Sequence, residues 1–395
     1  MQSSTTPEDL AVAAPDGAPA TARRQGESAW DRDLRLWTER KPPLTRYLQH
    51  AVANSGRSPF SLAREYIGLS RGRGRLTLQE YVQYGVYDPS LGDDERSRFL
   101  TEKLHWPIVR RCNDIAWQAA TEDKWLCAQL LERAGLPQPP ILAMIDTTER
   151  TFPGTRTIRS DREFGEFVRG SCRDGTALFC KPSHGLASYG AFVVDGAERD
   201  RLHVEGEGWI AYDACFAELI GGHCYVVQPM QRNHPSLARY TERLATVRVY
   251  VLRTDSGVKL PFAALKMAAP EHVADNYWRP GNLACDVDPI TGSIRSARTK
   301  DAFGTTDHLE HPHTGVRLVG ERVPRWEDIV ALTLECSSIF APVRYHSLDV
   351  AILAEGLSII EVNTGGAFNI PQLAAGRGFL TDQVLDLFRA CGFKG

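Results

Sequence analysis

The chain is 395 residues long, with Lys+Arg 46 against Asp+Glu 49 and a formal net charge of −3. This near balance gives no global pull toward nucleic acid or an anionic membrane, so any anion site must be local. The length exceeds one typical domain and predicts two or three packed units, enough to enclose a cleft.

The nine cysteines are odd in number and form no C-x-x-C pair, which argues against a disulfide framework or zinc knuckle. Cys180 in ALFCKP and Cys224 in CYVVQ sit in apolar runs, where a thiol serves as a small buried hydrophobe; a reducing, cytoplasmic setting is expected. The opening MQSSTTPEDLAVAAPDGAPATARR has neither a basic leader nor an apolar core, and no later stretch approaches about 20 apolar residues. No export signal or membrane span is expected.

Residues 1–28 are poor in large apolar side chains and are expected to be a disordered tail. Over 29–120 the spacing turns helical, as in LTLQEYVQYGVY and DDERSRFLTEKL. Arg71, Arg73 and Arg75, interleaved with glycines, read as a solvated loop, with a nucleic-acid patch as the lesser reading. Thr121 is the expected cap of a helix through DKWLCAQLLERAG, ended by Gly135, with Cys127, Leu130, Leu131 and Ala134 on its buried face. Short β-like runs follow: ALFCKP, AFVV, CYVVQ, TVRVYVLR, PFAALKM, LDVAILA and LSIIEV. A helix at RWEDIVALTLECSSIF interrupts them, its packing face made by Ile329, Leu332, Cys336, Ile339 and Phe340. Strands and helices without strict alternation indicate an α+β fold.

The sharpest chemical signal is HSLDVAILAEGLSIIEVNTGG. Ala354, Glu355 and Gly356 suit a three-residue hairpin loop with Gly356 in the left-handed position. Pairing Leu353 with Leu357 then sets Asp349 directly opposite Glu361, with Asn363 on the same face and Val350, Ile352, Ile360 and Val362 on the other. Opposed carboxylates repel unless a cation lies between them, and hard oxygen ligands suit Mg2+, which fills its shell with water and substrate phosphates. The competing reading is a solvated surface ladder. In KPSHGLASYG, Lys181 ends a strand and Gly185, Ser188 and Gly190 make a turn able to aim N–H groups at phosphate, or merely to connect two strands. In YVVQPMQ a strand stops at Pro229, leaving backbone groups that could read an adenine edge. His311 and His313 flank Pro312 in a polar loop and read as turn residues before metal ligands.

The order DK-helix-GLP-x-P, strand-KPSxGxxSxG, strand-QPM, R-x-Y-V, K, then D and E-x-N resembles the ATP-grasp superfamily over residues 121–375. ADNYWRPGNLACDVDPITG, HPHTG and LTLQEYVQYGVYDPSL look like its sugar-transfer-associated group. The resemblance implies ATP held by two α+β subdomains, 121–230 with the lid and 231–395 with the metal-binding hairpin, behind the helical region. It implies Lys124 and Lys181 on the phosphates, Gly185, Ser188 and Gly190 as the lid, and Gln228, Pro229 and Met230 as the adenine hinge. Arg248 and Lys266 would act on the transferring phosphoryl group, and Asp349, Glu361 and Asn363 would bind Mg2+, with Mn2+ as an alternative. The implied activity is a carboxylate–amine ligase working through an acyl-phosphate, with a kinase or a non-catalytic nucleotide-binding module as alternatives. Small-molecule carboxylate and amine partners, carrier-bound or sugar-linked forms included, and a homodimer belong to the same expectation. The acceptor pocket is expected from the helical region and the loops Asp275–Gly281 and His311–Gly315. Ser347, where relatives often have glycine, departs from the pattern and points to an atypical pocket.

Overall fold

Two largely antiparallel sheets face one cavity, and the order of apolar and polar residues along their strands determines which face does so. The computed structural model describes residues 24, 26–39, 41–172, 175–185, 188–276 and 279–394. Positions 1–23 and 25 of the expected tail lie outside the described residues. At its end, Ser28 is buried and its hydroxyl accepts the Asp31 N–H at 3.1 Å, so the packed chain begins before residue 29.

Helices occupy most of the span from Ala29 to Arg133, ahead of the first strand. The last of them, Lys124–Arg133, is capped not by Thr121 but by Asp123, whose carboxylate accepts the Trp125 and Leu126 N–H groups. A cap must lie two or three residues before the amides it satisfies, and Asp123 does; Thr121 closes the preceding short helix by donating to the Gln118 carbonyl. Ala134 is exposed beyond the helix end, and Leu136 takes the buried place expected of it.

The strands of the first sheet are β1 (Ala143–Ile145), β2 (Thr157–Ile158), β3 (Leu178–Pro182), β4 (Phe192–Ala197), β5 (Arg201–Val204), β6 (Gly208–Ala211) and β7 (Tyr225–Pro229). They lie in the order β2-β1-β7-β3-β4-β5-β6, and only the β1–β2 pair is parallel. Helix Asp161–Ser171 covers one face with Phe164, Phe167 and Val168 in a core shared with Cys180, Val194 and Val227.

The second sheet holds β8 (Thr246–Thr254), β9 (Gly257–Lys259), β10 (Ala263–Met267), β11 (Leu283–Val287), β12 (Ile294–Lys300), β13 (Thr305–Asp307), β14 (Tyr345–Ile352) and β15 (Leu357–Thr364). Its order is β13-β12-β11-β10-β8-β14-β15, with β9 paired to β8. Alternation along β8, TVRVYVLRT, sends Val247, Val249 and Val251 into a core with Leu265, Leu348 and Val350. Helix Trp326–Ile339 closes that core with Ile329, Leu332 and Cys336, as its spacing predicts. The opposite face carries Thr246, Arg248 and Tyr250. The helical region packs on part of this face, Tyr47, Tyr81 and Phe99 sharing a core with Ala264, Ala284 and Leu373.

Candidate functional site

Register makes the first wall of the site. Arg248 of β8 pairs with Asp349 of β14, and Asp349 pairs with Glu361 of β15, so the three stand in one row across the sheet. The carboxylates are opposed as the sequence predicts, but the loop beside them is different. Ile352 pairs with Leu357, and Leu353 and Gly356 exchange backbone hydrogen bonds, leaving Ala354 and Glu355 as a two-residue turn. Continued unbroken, this register would bring Asp349 opposite Ile360. A bulge between Asp349 and Val350 inserts Ile360 as an extra residue on β15 and restores the Asp349–Glu361 pair. Ile360 therefore lines the cavity instead of joining the apolar face, and Ile359 enters the core.

Opposed carboxylates need compensation, and in this structure basic side chains supply it. Arg248 grips Asp349 through Nε at 2.7 Å and Nη2 at 2.6 Å, and Lys266 reaches Asp349 at 3.2 Å and Asp275 at 3.3 Å. Lys124 pairs with Glu361 at 3.2 Å and donates to the Gly185 carbonyl at 3.2 Å. Burial alone would push the Asp349 carboxyl up, but Arg248 and Lys266 overcome it and hold the group well below the usual carboxylate range. Burial pushes the Arg248 guanidinium down and the Asp349 charge more than offsets it, leaving a fixed cation. Burial raises Asp275, with Lys266 opposing. Lys181, buried on β3, is pushed down to about 8 by desolvation and then by Lys124, with Glu361 and Asp349 pulling the other way.

These groups line a cavity of about 520 Å³ between the two sheets. Lys124, Lys181, Arg248 and Lys266 share it with Asp349, Glu361 and Asn363, and Gln228, Pro229 and Met230 close one end. Among the described residues the Asn363 Nδ2 and Ser347 Oγ, on paired positions of β15 and β14, are buried without a hydrogen-bond partner. β7 is a central strand, and its end offers no free N–H at Met230, which donates to the Ala177 carbonyl at 2.8 Å. Gln228 is fixed by donating to the Pro139 carbonyl at 3.2 Å.

The glycine turn also differs from its sequence reading. Gly185 and Ser188 line the cavity, but the Gly190 N–H is committed to Asp33 Oδ2 at 2.9 Å. Asp33 also takes Arg279 at 3.0 Å, and Trp30 lies against both glycines, so helix Ala29–Glu39 holds this turn from outside. Gly190 has φ 73°, and a Cβ there would come 2.9 Å from the Tyr225 hydroxyl, so both conformation and space require glycine.

A model of the sugar-transfer associated ATP-grasp family matches residues 107–385. The chain belongs to this family. Its two sheets and leading helices are an α+β, ATP-grasp fold. Solved structures similar to this ATP-grasp chain include N5-carboxyaminoimidazole ribonucleotide synthetase in an ADP complex, at 12% identity and TM-score 0.35, covering 63% of this chain and 46% of that one. D-alanyl-alanine synthetase A from Vibrio cholerae O1 biovar eltor is 10% identical at TM-score 0.40, covering 69% and 66%. D-alanine–D-alanine ligase from Bacillus anthracis is 14% identical at TM-score 0.40, covering 72% of each. The chain thus spans less than half the length of the first of these, and likeness at this level carries neither substrate nor reaction across. No curated protein matches the sequence.

The helical region, expected to build the acceptor pocket, does line the ATP-grasp cavity, whereas one of the two expected loops is represented there and the other is not. Trp37, Glu102, His105, Trp106 and Lys300 line it, as do Gly366, Ala367 and Asn369 after the hairpin. Of the loops expected to build the acceptor pocket, Asp275 and Asn276 do line it. His311 does not; it is buried near Tyr240, its N–H donating to the Val316 carbonyl. Within the helical region the three-residue spacing of Glu102 and His105, which puts both on one face, was the signal that could have singled them out.

Proposed function

We propose that the chain is a MgATP-dependent ligase that joins a carboxylate to an amine, with ADP and phosphate as products. The observation that carries the reading is the convergence of Lys124, Lys181, Arg248 and Lys266 with two opposed carboxylates along one cavity of ligand size. The γ-phosphate is the group such a constellation suits, because phosphoryl transfer spreads negative charge over the phosphate oxygens and needs positioned cations more than a protein base. Gln228, Pro229 and Met230 would take the adenine.

Asp349, Glu361 and Asn363 would hold the magnesium ion. They are hard oxygen donors, and two carboxylates with one amide leave room for phosphate oxygens in its shell. Asn363 Nδ2, buried without a partner among the described residues, is a donor and would turn to a phosphate oxygen, leaving Oδ1 for the ion. When bound, the ion supplies neutralisation of charge on the phosphates.

The chemistry proceeds in two steps. A substrate carboxylate oxygen attacks the γ-phosphorus, the O–P bond forms, and the bond to the β-phosphate oxygen breaks to release ADP. An amine then attacks the acyl carbon, and phosphate leaves. Lys181, Arg248 and Lys266 orient the phosphoryl group, while Gly185, Ser188 and helix Ala29–Glu39 shield it from water.

Incubation with MgATP, pooled amino acids and sugar acids, and hydroxylamine tests the proposal. ADP with hydroxamate, absent from Lys181→Ala and Glu361→Ala, is expected. AMP as the nucleotide product would refute the mechanism, and ADP with a stable phosphorylated product would replace it with a kinase.

A further inference from the structure

Past the phosphate-facing cations the cavity continues under the helical region, where Glu102 and His105 stand one turn apart beside Asn369. Glu102 Oε1 accepts the Asn369 N–H. His105 Nε2 and Asn369 Oδ1 are buried with no hydrogen-bond partner among the described residues. Burial pushes His105 down to about 4, so its ring is neutral and one of its nitrogens is an acceptor, the role open to the unpartnered Nε2. One end of the cavity therefore presents the Glu102 carboxyl, an imidazole nitrogen and an amide oxygen, with the Lys300 ammonium as the nearby cation acting on Glu102. Buried acceptors without donors are costly and mark a place a donor-rich group would fill. An ammonium brings three N–H donors, no acceptor and the charge that a carboxylate balances; a hydroxyl brings one donor, and a second carboxylate none.

We infer that this end is the acceptor subsite and binds a primary amine as its ammonium, with Glu102 as counter-ion and proton acceptor and His105 Nε2 and Asn369 Oδ1 taking the other two N–H groups. This deepens the ligase reading and rests on it. The ammonium gives one proton to the Glu102 carboxylate. The freed nitrogen attacks the acyl-phosphate carbon, the C–N bond forms, and the C–O bond breaks with its electron pair on phosphate. The nitrogen's second surplus proton leaves on that phosphate. Burial pushes the Glu102 carboxyl up to about 8, Glu80 adds to this, and the Phe368 and Asn369 N–H groups and the Lys300 ammonium oppose it. Without a bound ammonium this carboxyl keeps its own proton near neutrality, so it becomes counter-ion and proton acceptor as pH rises toward about 8.

Full-length protein is supplied with MgATP and the proteinogenic amino acids as carboxylate and amine source, with and without hydroxylamine. Hydroxylamine is uncharged near neutrality and traps an acyl-phosphate without a counter-ion. Amide and hydroxamate are quantified by mass spectrometry. Glu102→Gln is expected to lower the amide-to-hydroxamate ratio by about tenfold to a hundredfold, to raise KM for the amine, and to abolish the rise of amide formation with pH toward about 8. His105→Phe, which keeps the aromatic packing against Trp106 and Phe368, is expected to lower the ratio by a smaller factor. An unchanged ratio in both variants overturns the inference while hydroxamate in the wild type upholds the ligase reading. If the wild type forms neither ADP nor hydroxamate, that reading fails and binding decides. Saturation-transfer NMR with ethanolamine and glucosamine is expected to show contact that N-acetylation or Glu102→Gln removes, and no contact overturns the subsite.

Discussion

Asp349→Asn removes one charge and almost no volume, which isolates the electrostatic role of the hairpin. Asp349 is 4% exposed, and its side chain neutralises Arg248 and part of Lys266, whose side chains are 12% and 4% exposed. After the substitution Lys266 keeps Asp275 at 3.3 Å, while Arg248 loses the carboxylate with which it pairs. Removing one partner of a buried ion pair typically costs about 3–5 kcal/mol, because the other charge stays desolvated without compensation. At roughly 2 °C per kcal/mol for a chain of this size, the Tm should fall by about 6–10 °C. Adding Arg248→Gln should recover part of the loss, giving a favourable coupling in the double-mutant cycle. Scanning calorimetry without nucleotide measures all three variants. With MgATP at a hundredfold its Kd, wild type should gain about 2.7 kcal/mol and Asp349→Asn little. A Tm for Asp349→Asn within about 1 °C of wild type would refute the view that this pair stabilises the sheet.

Lys181→Met should lower ADP formation by about a hundredfold or more, since a fixed cation beside a transferring phosphoryl group acts mainly in the transition state; steady-state rates at saturating ATP check this. Gly292→Ala should destabilise by about 2–4 kcal/mol, read as a lowered urea midpoint with an unchanged slope. Gly292 has φ 74°, and an added Cβ would lie 2.4 Å from Cγ of the fully buried Trp326. Glu102 gives a pH dependence of stability whose sign follows from its raised carboxyl. The folded protein holds this proton more tightly than the unfolded chain, so the contribution is present below 4.5 and lost as pH rises through about 8. Between neutrality and pH about 9 the Tm of wild type should therefore fall more steeply than that of Glu102→Gln, and parallel curves would contradict the assignment.

The parts of the site that were legible in the sequence lie where chemistry interrupts a strong local pattern. Asp349 and Glu361 break runs of Val, Ile and Leu, Lys181 follows an apolar strand, and Arg248 sits among valines; each anomaly could be read within a few residues. The hairpin loop was read one residue too long because Gly356 suggested a left-handed turn, and the pairing of the acids survived because the bulge at Ile360 compensates. At the acceptor end the helical region was legible as a wall but its residues were not, since Glu102, Lys300 and Asn369 are brought together from positions far apart by packing of that region on the second sheet. Strand β12, Ile-Arg-Ser-Ala-Arg-Thr-Lys, is too polar to announce itself, so Lys300 carried no local signal. Asp33 likewise reads as a solvated helix residue, and only the packing of its helix on the glycine turn gives it Gly190 and Arg279 as partners.

The bulge at Ile360 works as a mechanical clutch between the tip of the hairpin and its acidic row. Ladder register on the tip side and on the cavity side differ by one residue, so a one-residue change in the loop can be taken up at the bulge without turning either carboxylate to the wrong face. Deleting Ile360 would join Ile359 to Glu361 and leave Asp349 facing Glu361 in a regular ladder. The tip can therefore drift in length and sequence while the pair at the cavity keeps its place.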